Sequence, residues 1–208
     1  MNHLFFILSL LFLSGCNKEE NVSSSWQAIN GRDESLSIVR HPLYQARIPA
    51  HWQRKDPSPT ESIADTTKPL CEFWIAEEGE KIRITVHNFP ASSTAPKIPP
   101  MAQLQRWKNQ FDRLEPTQVS ITSCAHGGFS GLCLEATGIL NGTAQSLLGW
   151  SMQLAPEHTR QLNPEDRQTR ADYTIKAVGP AELMNKFHTE IMNFAYSFEL
   201  IEELPSRL

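Results

Sequence analysis

Apolar and polar residues alternate with a period of two along several stretches of the chain, the pattern of strands with one buried face. Cys71, Phe73 and Ile75 alternate with Glu72, Trp74 and Ala76. Ile82, Ile84 and Val86 alternate with Lys81, Arg83, Thr85 and His87. Glu77-Glu78-Gly79 lies between these two runs, which predicts an antiparallel hairpin. Tyr44 to Ile48 predicts an earlier strand, turned aside by Pro49-Ala50-His51-Trp52. Arg54 to Pro69 is rich in Pro, Ser, Thr and Asp and predicts a loop. Further on, Val119 and Ile121 begin a strand, Gly127-Gly128-Phe129-Ser130-Gly131 turns it, and Leu132, Leu134 and Ala136 return. Gly142 marks another turn before Trp150, Met152 and Leu154. A polar excursion from Pro156 to Arg167 precedes a last strand through Tyr173, Ile175 and Ala177.

Two other stretches repeat apolar residues every three or four positions, the period of an amphipathic helix. Met101, Leu104, Trp107 and Phe111 form the first, opening at Pro100 and ending near Leu114. Pro90, Pro96, Pro99 and Pro100 exclude a ladder strand just before it. Leu183, Phe187, Ile191, Phe194 and Phe198 form the second, a closing helix after Gly179-Pro180 with Glu182 near its positive end. Strands, a helix, a meander of strands and a final helix predict an α+β fold. Its core would be an antiparallel β-sheet flanked by two main helices.

The N-terminus is of a different kind. Leu4 to Leu13 is an apolar run broken only by Ser9. It is too short for the ~20 residues of a membrane-spanning helix, and it suits the apolar core of a signal peptide. Leu13-Ser14-Gly15-Cys16 follows: an aliphatic residue, two small residues and a cysteine. This resembles the lipobox of bacterial lipoproteins. The resemblance implies cleavage after Gly15, diacylglyceryl transfer to the Cys16 thiol and acylation of the new amino group. Two or more acyl chains anchor a protein stably where one does not. Met1-Asn2-His3 departs from the pattern, because it carries no Lys or Arg. Asn17 occupies the second mature position, and the family analogy then implies the outer membrane in a cell with two membranes.

Asn17 to Ser25 contains one aliphatic residue and no periodicity, which predicts a flexible linker. The expected organisation is a signal peptide over 1–15, a lipidated flexible tether over 16–35, a single α+β domain over 36–202 and a tail over 203–208. The formal net charge of the 208 residues is -4, without a basic stripe, so nucleic acid is not an expected partner.

Ile48-Pro49-Ala50-His51-Trp52 after a strand, and Phe194-Ala195-Tyr196-Ser197-Phe198 ending the last helix, carry a second resemblance. With the order of elements between them, they resemble the PsbP-like family of α/β/α sandwiches over roughly residues 36–200. The resemblance implies accessory, assembly or binding roles at membranes. It transfers no functional residue, because no ligand or metal motif of the family matches.

Residues arranged for chemistry are otherwise few. His41, His51, His87, His126, His158 and His188 form no His-Glu-x-x-His or related frame, so no metal site and no cofactor is expected. Ser130 and Ser151 lack the spacing and the strand-to-helix context of a nucleophile elbow, so no catalytic residue is assigned. Glu77, Glu78 and Glu80 read as a solvated hairpin tip. Trp74 alternates opposite Phe73 and Ile75, which leaves two readings open: a ligand platform, or a ring covered by a helix.

Cysteine parity yields one further expectation. Val119 and Ile121 define one face of their strand and place Cys124 on the other. Leu132, Leu134 and Ala136 place Cys133 on that same side of the return strand. A turn midway between them would pair Cys124 with Cys133 in a disulfide, which export favours. Reduced thiols, or a bulge at the glycines, are the alternatives, and Cys71 is left as a buried free thiol.

The reading with most support is a membrane-anchored envelope lipoprotein with a non-enzymatic role in binding an envelope protein partner or in assembly. The alternative is a small-molecule or carbohydrate-binding lipoprotein, and an envelope hydrolase ranks below both. The first expected outcome concerns the anchor. Cys16→Ala should abolish incorporation of radioactive palmitate and detach the protein from membranes or stall its processing; undiminished labelling would contradict the lipobox.

Overall fold

The computed structural model describes residues 23–31, 42–58, 67–89, 97–155 and 172–201. Along them run β1 (Ser24–Asn30), β2 (Pro42–Pro49), β3 (Gln53–Lys55), β4 (Cys71–Glu77) and β5 (Glu80–Phe89). Helix α1 (Pro100–Lys108) and a 3-10 turn (Pro116–Gln118) lead into β6 (Val119–His126), β7 (Phe129–Leu140), β8 (Thr143–Leu154) and β9 (Asp172–Pro180). Helices α2 (Ala181–Lys186) and α3 (His188–Tyr196) and the short β10 (Glu199–Leu200) follow. The lipobox, the tether before residue 23, His41, His158, the excursion from Pro156 to Arg167 and the tail over 203–208 lie outside the described residues. No helix among the described residues is long and apolar enough to cross a membrane.

Seven strands form one antiparallel sheet in the order β3-β4-β5-β9-β8-β7-β6, and β1-β2-β10 form a second, smaller one. Three hairpins of the large sheet close on two residues with positive φ: Glu78-Gly79 (51° and 87°), Gly127-Gly128 (56° and 81°) and Asn141-Gly142 (50° and 76°). Two successive left-handed residues give a turn whose twist matches the strands it joins, and glycine adopts that conformation without strain. These turns set the register of the meander.

The α+β fold is the one the patterning predicts, with two additions. The small sheet separates β2 from the main ladder. The supposed tether also contributes β1, which pairs with β2 from Ser24 opposite Pro49 to Ile29 opposite Tyr44. Ordered structure therefore begins well before residue 36. The alternation is hard to see because Ile29 is the one fully buried residue of β1, whereas Trp26 and Ala28 stay exposed.

The sheet buries its two faces differently. One face packs under α2, α3 and the small sheet, around Tyr44, Trp52, Phe73, Phe129, Tyr173, Phe194 and Phe198. The other packs under α1, where Leu104 and Trp107 meet Leu134, Ala136 and Leu147. Trp107 lies so close to Gly149 that a Cβ there would stand 2.5 Å from the indole, so a glycine is what lets α1 settle on β8. The helix ends at Lys108 rather than near Leu114, yet Phe111 and Leu114 still pack against the same cluster.

The closing helix breaks at Phe187, which caps both α2 and α3 and is only half-buried. Its ring lies 6.0 Å from that of His51, at the margin of the core. Phe194 instead is 1% exposed, with its ring 5.1 Å from Trp52 and 5.3 Å from Phe73. Phe194→Ala should therefore cost about 3–5 kcal/mol, and Phe187→Ala clearly less. Urea unfolding of the two variants checks this, and equal midpoints would refute the ranking.

Candidate functional site

Trp26 and Arg47 stand directly opposite each other on β1 and β2. Facing residues of an antiparallel pair share a face, and the Arg47 guanidinium lies over the Trp26 ring, 5.3 Å from its centroid. Glu190 and Asn193 of α3 and its C-capping Ser197 follow at spacings of three and four, so they form one polar stripe beside the apolar Ile191 and Phe194. The two elements enclose a groove of about 600 Å³, which Ser24, Pro49, Tyr196 and Glu199 also line.

Two features make this groove suited to a ligand. Trp26 and Tyr196 are each 47% exposed, and large aromatic rings standing that free at one concavity are unusual. The polar groups behind them are held in place. Glu190 accepts a short hydrogen bond from the Trp52 indole N–H and lies 3.1 Å from Nε2 of His51. Glu199 accepts from the Gln45 amide at 2.8 Å. The Ser197 hydroxyl accepts from the Arg47 backbone N–H at 2.8 Å and donates to the Phe194 carbonyl at 2.7 Å. Among the described residues no carboxylate pairs with the Arg47 guanidinium, which leaves its donors to solvent or a ligand.

Trp74 does not belong to this groove. It projects from the opposite face of the large sheet, half-buried, with the Arg83 guanidinium 5.7 Å from its ring centroid. Arg83 is in turn forked onto Glu72 at 2.9 and 2.8 Å, and this hydrogen bonding lowers the Glu72 carboxyl. One side of the Trp74 ring thus carries a guanidinium, as one side of the Trp26 ring does, but Trp74 is half-buried where Trp26 is exposed. Glu77 of the acidic tip is taken up by Lys186 at 2.6 Å. Trp107 and Trp150 are buried. Trp26 was hidden from the sequence reading by its place in an apparent linker; the polar stripe at 190, 193 and 197 was the signal available.

The cysteines need a correction. Cys124 stands opposite Gly131, and Cys133 opposite Thr122. The two share a face, as parity predicts, but sit two residues out of step along the ladder. Cys71, Cys124 and Cys133 are all free thiols. The cause is the turn: Gly127-Gly128 alone closes the hairpin, one residue earlier than a turn centred between the cysteines. Within the pair, the hydrogen bond to Cys124 and burial push the Cys133 thiol up, while the same contact lowers Cys124. Burial pushes Cys71 up to about 12.

No protein-family model matches the chain, and no curated protein matches it in sequence. The solved structures similar in shape include the following three. LpqN of Mycobacterium tuberculosis, described as involved in cell envelope biogenesis, is 12% identical with a TM-score of 0.49; the match covers 85% of this chain and 91% of LpqN. The cyanobacterial PsbP of Synechocystis is 12% identical with a TM-score of 0.48 over 90% of this chain and 98% of its own. A Pseudomonas aeruginosa protein of unknown function is 11% identical with a TM-score of 0.43 over 78% and 92%. At these values the likenesses transfer no activity.

The free thiols lead to the third expected outcome. Unfolded in urea without reductant, the chain should offer iodoacetamide the thiols at 71, 124 and 133; finding 124 and 133 both unmodified would restore the disulfide. In the native protein at pH 8, Cys71 should stay unmodified, since a thiol titrating near 12 is thiolate in only about one molecule in 10⁴.

Proposed function

We propose that this chain is a lipid-anchored protein of the bacterial envelope that binds a carbohydrate-like ligand in the groove between β1, β2 and α3, without transforming it. The observation that carries this reading is the pair of exposed rings, Trp26 and Tyr196, at one concavity. A sugar ring offers an apolar face of C–H groups to an aromatic side chain and hydroxyls around its edge. The Asn193 amide, the Glu190 and Glu199 carboxylates and the Arg47 guanidinium are planar groups suited to those hydroxyls. A volume of about 600 Å³ is within the ordinary range of small-ligand sites.

The anchor supports an envelope ligand. Ser24 lines the groove eight residues beyond Cys16. Eight residues reach at most about 28 Å, so a lipid on Cys16 would hold the groove within that distance of the membrane surface. Glycans of the cell wall and of the membrane surface lie in this zone.

A separate observation favours a second reading, an assembly role through a partner's strand. β6 forms an edge of the large sheet with eight residues, none of them Lys, Arg, Asp, Glu or Pro. β3, at the other edge, has three residues, including Arg54 and Lys55. Proteins usually guard edges with charge or brevity, as β3 does, because an unguarded edge accepts another strand.

One experiment separates the two. Calorimetry with soluble peptidoglycan fragments and neutral oligosaccharides should show binding that Trp26→Ala or Tyr196→Ala weakens about tenfold or more, roughly 1.4 kcal/mol per ring. Absence of binding, or binding indifferent to both rings, would sink the groove reading. Envelope crosslinks lost in the double variant Ser120→Lys/Thr122→Lys but kept in Trp26→Ala would favour the edge instead.

A further inference from the structure

A cluster of sulfur atoms lies beneath Tyr196, brought together by strand register rather than by spacing along the chain. Cys124, Gly131 and Met152 occupy one row across β6, β7 and β8. Gly131 has no side chain, so the two sulfur-bearing residues on either side of it touch, Cys124 Sγ to Met152 Sδ at 3.3 Å. Cys133 stands on the same face two residues along β7, diagonal to Cys124. All three sulfur residues are close to fully buried: Cys124 is 9% exposed, Cys133 5% and Met152 1%. His126 completes the surroundings, with Nε2 3.0 Å from the Tyr173 hydroxyl and its ring edge-on to Tyr196 at 5.3 Å.

We propose that Cys124, Cys133 and Met152 form a binding site for a soft monovalent metal ion, Cu(I), with Tyr196 as its cover at the protein surface. Two thiols and a thioether are the donor set that soft Cu(I) prefers. Zn²⁺ fits less well. It takes four donors, usually Cys, His or carboxylate, and among the described residues no group of three or more His, Cys, Asp or Glu side chains converges. The third donor here is a methionine, which suits copper and not zinc. A packed core alone explains one buried cysteine, such as Cys71, but it has no need of two thiols and a thioether gathered on one sheet face around Gly131. Tyr196 is 47% exposed, so the ring that covers the cluster is a surface residue and not part of the closed core.

Binding balances without redox change. Two S–H bonds break, two S–Cu bonds form, the Met152 thioether donates a lone pair, and two protons pass to solvent. Copper enters and stays as Cu(I). None of its three ligands lines the groove, and only the covering Tyr196 is shared with it, so Cys124→Ser and Cys133→Ser test this site without altering a groove residue.

The test uses the full lipidated chain in detergent, held anaerobic and reduced. It is titrated with Cu(I) against a chromogenic Cu(I) chelator. One Cu(I) per chain should bind. Cys124→Ser or Cys133→Ser should weaken binding about 100-fold or more, beyond the usual 10–100-fold effect of an outer-shell residue. Met152→Leu, which conserves volume, should weaken it about tenfold while circular dichroism stays unchanged. Cys71→Ser should leave the affinity unaltered. Failure to compete with the chelator, binding that survives Cys133→Ser, or equal retention of Zn²⁺ would each overturn the proposal.

Discussion

Burial of one broad apolar sheet face governs this molecule, and no single helix is wide enough to do it. Two different covers share the work, α2–α3 and the small sheet, and their seam is held by rings. Tyr44 of β2, Tyr173 of β9 and Phe198 after α3 meet at centroid distances of 4.4 to 5.9 Å. Trp52 and Phe73 meet Phe194 from the other side. Each buried ring removes a large area from water and gains edge-to-face or tilted contacts beyond that area. Because a helix and a sheet edge curve differently over the same core, a furrow remains where they meet. The groove lined by Trp26 and Tyr196 is that furrow.

The opposite face shows what happens where only one cover is present. α1 shields the part of the sheet around β7 and β8, and apolar residues fill it. Toward β4 and β5 the same face turns polar, with Glu72, Trp74, Arg83 and His87. There the Glu72–Arg83 pair and the ring beneath it form a solvent-facing surface. Arg83 is half exposed, so screening keeps this pair's stabilising effect small. Its structural consequence is to hold the Arg83 guanidinium over one side of the Trp74 ring.

Register links this architecture to chemistry. A shift of two residues along one hairpin separates a direct cysteine pair from a diagonal one. The two-residue turn at Gly127-Gly128 imposes that shift, and the same turn sets Cys124 in the row of Met152 across a glycine. The sulfur cluster therefore depends on backbone conformation at the turn and on a missing side chain at Gly131, neither of which is itself a chemical group.

Much of the fold was legible in the sequence because each element wrote its own period. The alternation at 71–75, 82–86 and 173–177 and the stripes ending at Phe111 and Phe198 each report burial on one face, and burial on one face is a local property. The paired left-handed residues at Glu78-Gly79 and Asn141-Gly142 are local too. Tertiary structure alone decided the rest. β1 buries one side chain completely, too few to make a pattern, and exists because β2 offers it hydrogen bonds. Phe187 and Phe194 lie on one helical stripe, yet only the second is fully buried, because the helix breaks at Phe187. Trp26, Arg47 and Tyr196 became neighbours through the packing of a strand and a helix more than 140 residues apart in the chain. Periodicity records which way a residue faces; what it faces is set by long-range packing, and that is where the candidate sites of this protein arise.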